Sequence, residues 1–149
     1  MVEIIEISKV DFDLHNMITL FDENKANKCY AIILNGLVGY QFAWQSELLK
    51  PLLLKLDNEI YCIGIDQHFC ILDFNKRDIL LNINLMYNFY DILIFHDWIF
   101  VISELEIIKI NKYNLDIVSE FGLPDYYEKM EFINNEIRVG CLNGNQIIL

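Results

Sequence analysis

Glycine and proline are scarce, with six and two residues in a chain of 149. That excludes collagen-like and proline-rich linker architectures. It also leaves little material for a phosphate-cradling loop, and neither G-x-x-x-x-G-K-[S/T] nor G-x-G-x-x-G occurs. Basic residues are few, 11 against 22 acids, for a net charge of -11. A nucleic-acid binder carries the opposite sign. The four cysteines, Cys29, Cys62, Cys70 and Cys141, form no C-x-x-C pair and no regular framework. They read as reduced, mostly buried small hydrophobes. Long apolar runs are missing too: the stretch from Ile92 to Ile102 is interrupted by His96 and Asp97 and is too short to span a bilayer. Residues 1–6 have no basic segment followed by an apolar one, so the expected location is cytoplasmic.

Hydrophobic residues make up 54% and aromatics 13% of the chain. That supplies a full core, and the length predicts one domain over residues 1–149. Runs rich in β-branched and aromatic residues recur from residue 28 onward. The candidates are Lys28–Leu34, Leu52–Leu56, Ile60–Ile65, Phe69–Phe74, Ile79–Leu85, Ile92–Phe95, Ile99–Ser103, Ile107–Ile110, Asp116–Glu120, Lys129–Ile133, Glu136–Leu142 and Gln146–Leu149. Turn pairs such as Asn35-Gly36, Asp66-Gln67, Asn134-Asn135 and Asn143-Gly144 separate them. Asparagine tolerates the left-handed backbone and replaces the missing glycines. Short strands at this spacing predict an antiparallel all-β protein, with the doubly apolar run Ile92–Phe95 as a central strand covered on both faces. The first 27 residues are less regular: Glu3–Ile7 suits a strand and Asp22–Asn27 a polar loop. Ala43–Leu49 suits a helical turn or a bent strand before Pro51.

An internal repeat is present. Residues 58–72 align without a gap on residues 135–149, an offset of about twice 38. A middle copy matches Trp98–Ile102 to Glu59–Ile63, and Lys109–Lys112 to Asp73–Lys76 after a deletion of three. A β-rich unit near 40 residues with about four strands resembles a propeller blade. Residues 52–149 hold too few copies to close a ring. The expected architecture is therefore blade-like repeats of about 38 residues packed as two sheets, an incomplete propeller or a sandwich.

Catalytic patterns are wanting. His15, His68 and His96 sit in unrelated settings, no serine lies in G-x-S-x-G, and no His/Cys spacing suits zinc. Glu104 and Glu106 share one face of a predicted strand at period two and read as its solvated side. No enzyme, cofactor or metal is expected.

Charge is distributed unevenly. Residues 1–24 carry six acids against Lys9, residues 25–86 balance, and residues 87–136 carry ten acids against three lysines. Two acidic regions flanking a neutral middle suit a basic partner. Within the second, Leu123-Pro124-Asp125-Tyr126-Tyr127-Glu128 sets two tyrosines between two acids, and Asp91 lies near Tyr87 and Tyr90. Tyrosine anchors and acidic steering are the chemistry of a protein interface. Glu104, Glu106 and Glu120 extend that candidate surface to Asp125, Tyr126, Tyr127 and Glu128.

The blade-like stretch from Asn58-Glu59-Ile60-Tyr61-Cys62-Ile63-Gly64-Ile65-Asp66 through Phe100-Val101-Ile102-Ser103-Glu104 to Leu123-Pro124-Asp125 resembles the immunity proteins of bacterial toxin systems, particularly contact-dependent growth inhibition. The resemblance covers roughly the last 90 residues. It implies a monomer that binds a cognate, basic nuclease toxin domain in a 1:1 complex and occludes its active site without performing chemistry. The other expectation is a propeller-like scaffold module that oligomerises or binds another protein.

Overall fold

The computed structural model describes residues 2–22 and 28–149; most of the expected polar loop at 22–27 lies outside the described residues. The chain divides into two compact units, Met1–Asn84 and Leu85–Leu149. Each consists of two sheets sharing a hydrophobic core.

The first sheet of the first unit holds β1 (Glu3–Ile7), β2 (Ile18–Thr19), β3 (Cys29–Asn35) and β4 (Val38–Trp44) in the order β1-β3-β4-β2, with the two-residue β2 parallel to β4. Gly36, at φ 64, turns β3 into β4, a backbone region where a Cβ is strained. Between β1 and β2 runs the short helix α1 (Lys9–Leu14), capped by Ser8, whose Oγ accepts from the Asp11 amide at 3.1 Å. Its one buried side chain, Phe12, meets Tyr30 with ring centroids 5.0 Å apart. The second sheet is a plain meander, β5 (Leu52–Asp57), β6 (Ile60–Ile65), β7 (His68–Asp73) and β8 (Asp78–Asn84). Ile33, Tyr40, Phe42 and Trp44 from the first sheet and Ile63, Ile65, Cys70 and Leu72 from the second fill one core.

The second unit repeats the meander. β9 (Phe89–Phe95), β10 (Trp98–Ser103), β11 (Glu106–Asn111) and β12 (Ile117–Gly122) form one sheet, and β13 (Tyr127–Ile133), β14 (Glu136–Cys141) and β15 (Gln146–Ile148) the next. Phe100, Ile102, Ile107, Tyr127 and Val139 are the buried centre, with Phe95 stacked on Phe132 at 3.9 Å.

The all-β, antiparallel, blade-like reading is what the structure has, and all twelve predicted strands are present with ends shifted by a few residues. Several expectations are corrected. The described residues build four sheets instead of two, because residues 3–44 make a complete sheet of their own and residues 127–148 separate from the sheet before them. β4 was passed over, although Tyr40, Phe42 and Trp44 alternate at period two; the segment Ala43–Leu49 is the end of this strand and the loop after it. Ile92–Phe95 belongs to an edge strand, β9, apolar on both sides because Leu93 and Phe95 pack into the shared core while Ile92 is buried on the other face.

The repeat is also more regular than its sequence alignment. Ile60 pairs with Asp73 and Trp98 with Asn111, so β6 and β7 map onto β10 and β11 by a constant 38 residues with no deletion. The hairpins Asp57–Ile60 and Ile133–Glu136 likewise match at twice 38, one residue less than the sequence alignment. Strands apolar on both faces allow a one-residue slip that costs nothing in apolar matches yet exchanges the two faces. The left-handed turn positions go to Asn134 and Asn135 as expected, but also to Asp66, Arg77, His96 and Leu115.

Candidate functional site

One end of the second unit gathers the turn after β10, the segment before β9, the connection from β12 to β13 and the turn after β14. Backbone hydrogen bonds tie these together. The Glu104 amide donates to Asn88 O at 3.0 Å, and Glu104 O accepts from the Tyr127 amide at 2.8 Å. Leu105 O accepts from Leu123 N, and Tyr126 O from Leu142 N, both at 2.9 Å. The Asp125 carboxylate accepts from the Asn143 amide at 2.9 Å. Ser103, buried at the end of β10, donates its hydroxyl to Glu106 O at 2.9 Å and closes the turn.

All seven residues singled out in the sequence lie on or beside this end, in different roles. Glu104 sits in the β10–β11 turn and Glu106 opens β11, so they do not share a strand face as predicted; the strand takes in Glu106, one residue ahead of its apolar run, but not Glu104. Glu106 pairs with Gly122, and Glu120 with Ile108, which sets the two carboxylates diagonally on one face of adjacent strands. Partial burial, then repulsion from Glu120, raises the Glu106 carboxyl above its ordinary range. Glu128 occupies the bulge where Tyr127 faces Cys141 and Lys129 faces Gly140, and it is exposed.

The two tyrosines separate. Tyr126 is 51% exposed, whereas Tyr127 is 8% exposed and belongs to the core. Its ring meets Tyr90 edge-on at 5.3 Å, and burial, followed by Asp91 and Tyr90, pushes its phenol up to about 12. Tyr127 therefore seats the connection, and Tyr126 is the exposed aromatic. Met86, Tyr90 and Leu142 are exposed apolar side chains on the same connected segments. Met86 and Leu142 carry no sequence signal for a surface role, because a single apolar residue beside a turn has no periodicity; β14 ends at Cys141 and leaves Leu142, the end of the predicted strand, exposed in the turn.

The acids differ in pairing, and in the second unit Lys129 holds Glu131 at 2.9 Å and Arg138 holds Glu136 at 3.2 Å. In the first, Asp13 pairs with Lys9 at 3.0 Å, Asp22 with Lys28 at 2.7 Å and Glu6 with Lys50 at 2.6 Å. Glu104, Glu106, Glu120, Asp125 and Glu128 make no ion pair among the described residues. The end thus presents uncompensated carboxylates around an exposed tyrosine, which can attract a cationic surface and give it an aromatic foothold. Among the described residues no three His, Cys, Asp or Glu side chains stand close enough to hold a metal ion. All four cysteines are unpaired, and burial pushes the Cys62 and Cys70 thiols up to about 12. No described helix is long and apolar enough to cross a membrane.

No protein-family model and no curated protein matches the sequence. Among solved structures, the computationally designed Ika4 protein is similar at a TM-score of 0.54 and 11% identity, covering 91% of this chain and 92% of that one. Sqt1 of Saccharomyces cerevisiae is similar at 0.51 and 15%, covering 85% of this chain and 43% of Sqt1. The chain therefore spans less than half the length of Sqt1, a propeller-like protein. At these identities the likeness is one of fold.

Proposed function

We propose that the protein is a non-catalytic inhibitor of a basic protein, acting in the cytoplasm as the immunity partner of a nuclease toxin domain. A rigid end of the second unit offers Glu104, Glu106, Glu120, Asp125 and Glu128 to the Lys/Arg-lined substrate groove of the toxin, with Tyr126 as the anchor. The observation that supports this is the absence of ion pairs at these five carboxylates among the described residues, where Glu6, Asp13 and Asp22 of the first unit and Glu131 and Glu136 of the second are each held by a cation. Long-range attraction to such a surface speeds encounter, and the exposed aromatic slows release.

The test is co-expression with a basic nuclease toxin domain encoded by a neighbouring gene, the arrangement this reading requires. Protection of growth and a 1:1 complex by size exclusion are expected. Protection that survives replacement of Glu104, Glu106 and Glu120 together by lysine, with unchanged salt dependence, would remove this surface from the account. The likeness to propeller-like Sqt1 favours a second reading, a scaffold module. That reading predicts concentration-dependent self-association of the isolated protein, where the inhibitor reading predicts a monomer.

A further inference from the structure

The outer edge of β12 is open. β12 stands at one side of its sheet, and among the described residues it pairs with β11 alone. Leu123 N donates to Leu105 O. In that register Phe121, opposite Ile107, and Ser119, opposite Lys109, turn their backbone groups to β11. Glu120 and Gly122 alternate with them, so their N–H and C=O groups point away from the sheet, and both residues are exposed. The register shifts at Lys109/Ile110, so the regular free stretch is short, from Ser119 to Leu123. Free ladder groups of this kind accept a further strand.

Two cross-strand rows end at this edge. One runs from Glu106 on β11 to Gly122, the other from Ile108 to Glu120, and all four positions lie on one face. Gly122 puts no side chain in its row, and a Cβ built there meets nothing within 4 Å. Its φ lies outside the left-handed region, so neither backbone nor packing demands a glycine. The gap opens the Glu106 carboxylate to whatever pairs beyond β12. A strand added there would lie about 4.8 Å away, close enough for a lysine or arginine to reach across Gly122.

The first unit has the corresponding positions occupied by the chain itself. In the 38-residue repeat Glu106, Glu120 and Gly122 match His68, Asn82 and Asn84. His68 stacks on Phe21 at 4.3 Å, and the Asn82 side-chain amide donates to Leu20 O at 3.1 Å. A segment of the chain, Leu20–Phe21, thus lies against these side chains. The second unit has carboxylates at two of the three positions, and a segment that suits them carries cations.

We propose that β12 takes up an extended segment of the basic partner as an added antiparallel strand with two cations two residues apart. One cation lies beside Glu120, and the other crosses Gly122 to Glu106. The two residues that carry them exchange backbone hydrogen bonds with Glu120 and Gly122. This rests on the reading of the acidic end as the partner's seat and adds the form of what it receives.

The test titrates the full chain, ¹⁵N-labelled, with three end-capped peptides of equal charge. They are Thr-Arg-Val-Arg-Thr, the same peptide N-methylated at both arginines, and Thr-Arg-Arg-Val-Thr, which places its cations on opposite faces. The first is expected to saturate below about 1 mM, the other two to bind at least about fivefold more weakly. It is also expected to shift the Glu120 and Gly122 amides and slow their hydrogen exchange. Gly122→Val fills the gap without touching the protein, so it is expected to keep the melting temperature and weaken the first peptide about fivefold. Glu106→Gln is expected to weaken it similarly, and the double variant no further, because both act in one row. Equal binding of the N-methylated or rearranged peptide, unchanged exchange at the two amides, or full affinity in Gly122→Val would each overturn strand addition. Those outcomes concern the mode of docking alone; a failure of the inhibitor reading shows in the co-expression experiment.

Discussion

Residues 66 and 104 occupy the same turn of the 38-residue meander, between the second and third strands of their sheets. Asp66 is 8% exposed, stands at φ 50, and its carboxylate accepts from the Gln45 and Ser46 amides at 2.7 and 3.1 Å. Glu104 is half-buried, its carboxylate has no partner among the described residues, and its backbone makes the ties to Asn88 and Tyr127. The tyrosines differ in a parallel way: the Tyr40 hydroxyl reaches two carbonyls, while Tyr127 is held by packing. At this turn the first unit uses a carboxylate to hold the neighbouring loop, whereas the second ties the loop by backbone groups and leaves the Glu104 carboxylate without a partner among the described residues.

The largest expected effect tests that distinction directly. Asp66→Gly suits the left-handed backbone, so its cost isolates the carboxylate, about 2 kcal/mol by urea denaturation. Glu104→Ala is expected to change stability by no more than about 0.5 kcal/mol. Equal costs would break the comparison.

Next in size is a pair of phenol deletions. Tyr40→Phe leaves the Asp73 and Asp78 carbonyls without their donor and is expected to cost about 1–2 kcal/mol. Tyr127→Phe removes a hydroxyl that makes no hydrogen bond among the described residues, and thermal melts are expected to shift by less than half as much. In absorbance titration both phenols, pushed up to about 12 by burial, ionise above the ordinary tyrosine range.

Much of this was legible in the sequence, for identifiable reasons. The later strands are β-branched runs cut by Asn and Asp turns, so their existence and the 38-residue period could be read directly. The register could not, because residues such as Cys62 and Ile63 are buried on opposite faces and both alignments match apolar to apolar. β4 was missed because Gly39, Gln41 and Ala43 dilute its strand character, although Tyr40, Phe42 and Trp44 carry the signal. α1 had one too, Ser8 three residues before Asp11. The candidate surface was found where it is local, at Leu123–Glu128. Which of two adjacent tyrosines turns inward depends on the β13–β14 bulge, and the ion pair from Glu6 to Lys50 spans a separation that no local pattern reports.

The smallest effect is one of pH. The folded state holds the Glu106 proton more tightly than the unfolded chain does, so stability falls as pH rises from about 4.5 through the higher folded value. Glu120→Gln removes the neighbouring charge and is expected to lower the Glu106 titration midpoint by ¹³C NMR and flatten this loss. An unchanged midpoint would mean the two carboxylates do not interact.

The central claim is that unpaired acids in the second unit, and not the paired acids of the first, meet a basic partner. The most direct measurement is the association rate with the basic toxin domain proposed as the partner, at low and moderate salt. It would compare Glu104, Glu106 and Glu120 replaced together by lysine with Glu6, Asp13 and Asp22 replaced in the same way. The account predicts association slowed by about tenfold or more at low salt for the first set, converging with wild type as salt rises, and only a minor change for the second. Equal slowing by both sets, or none by the first, would contradict it.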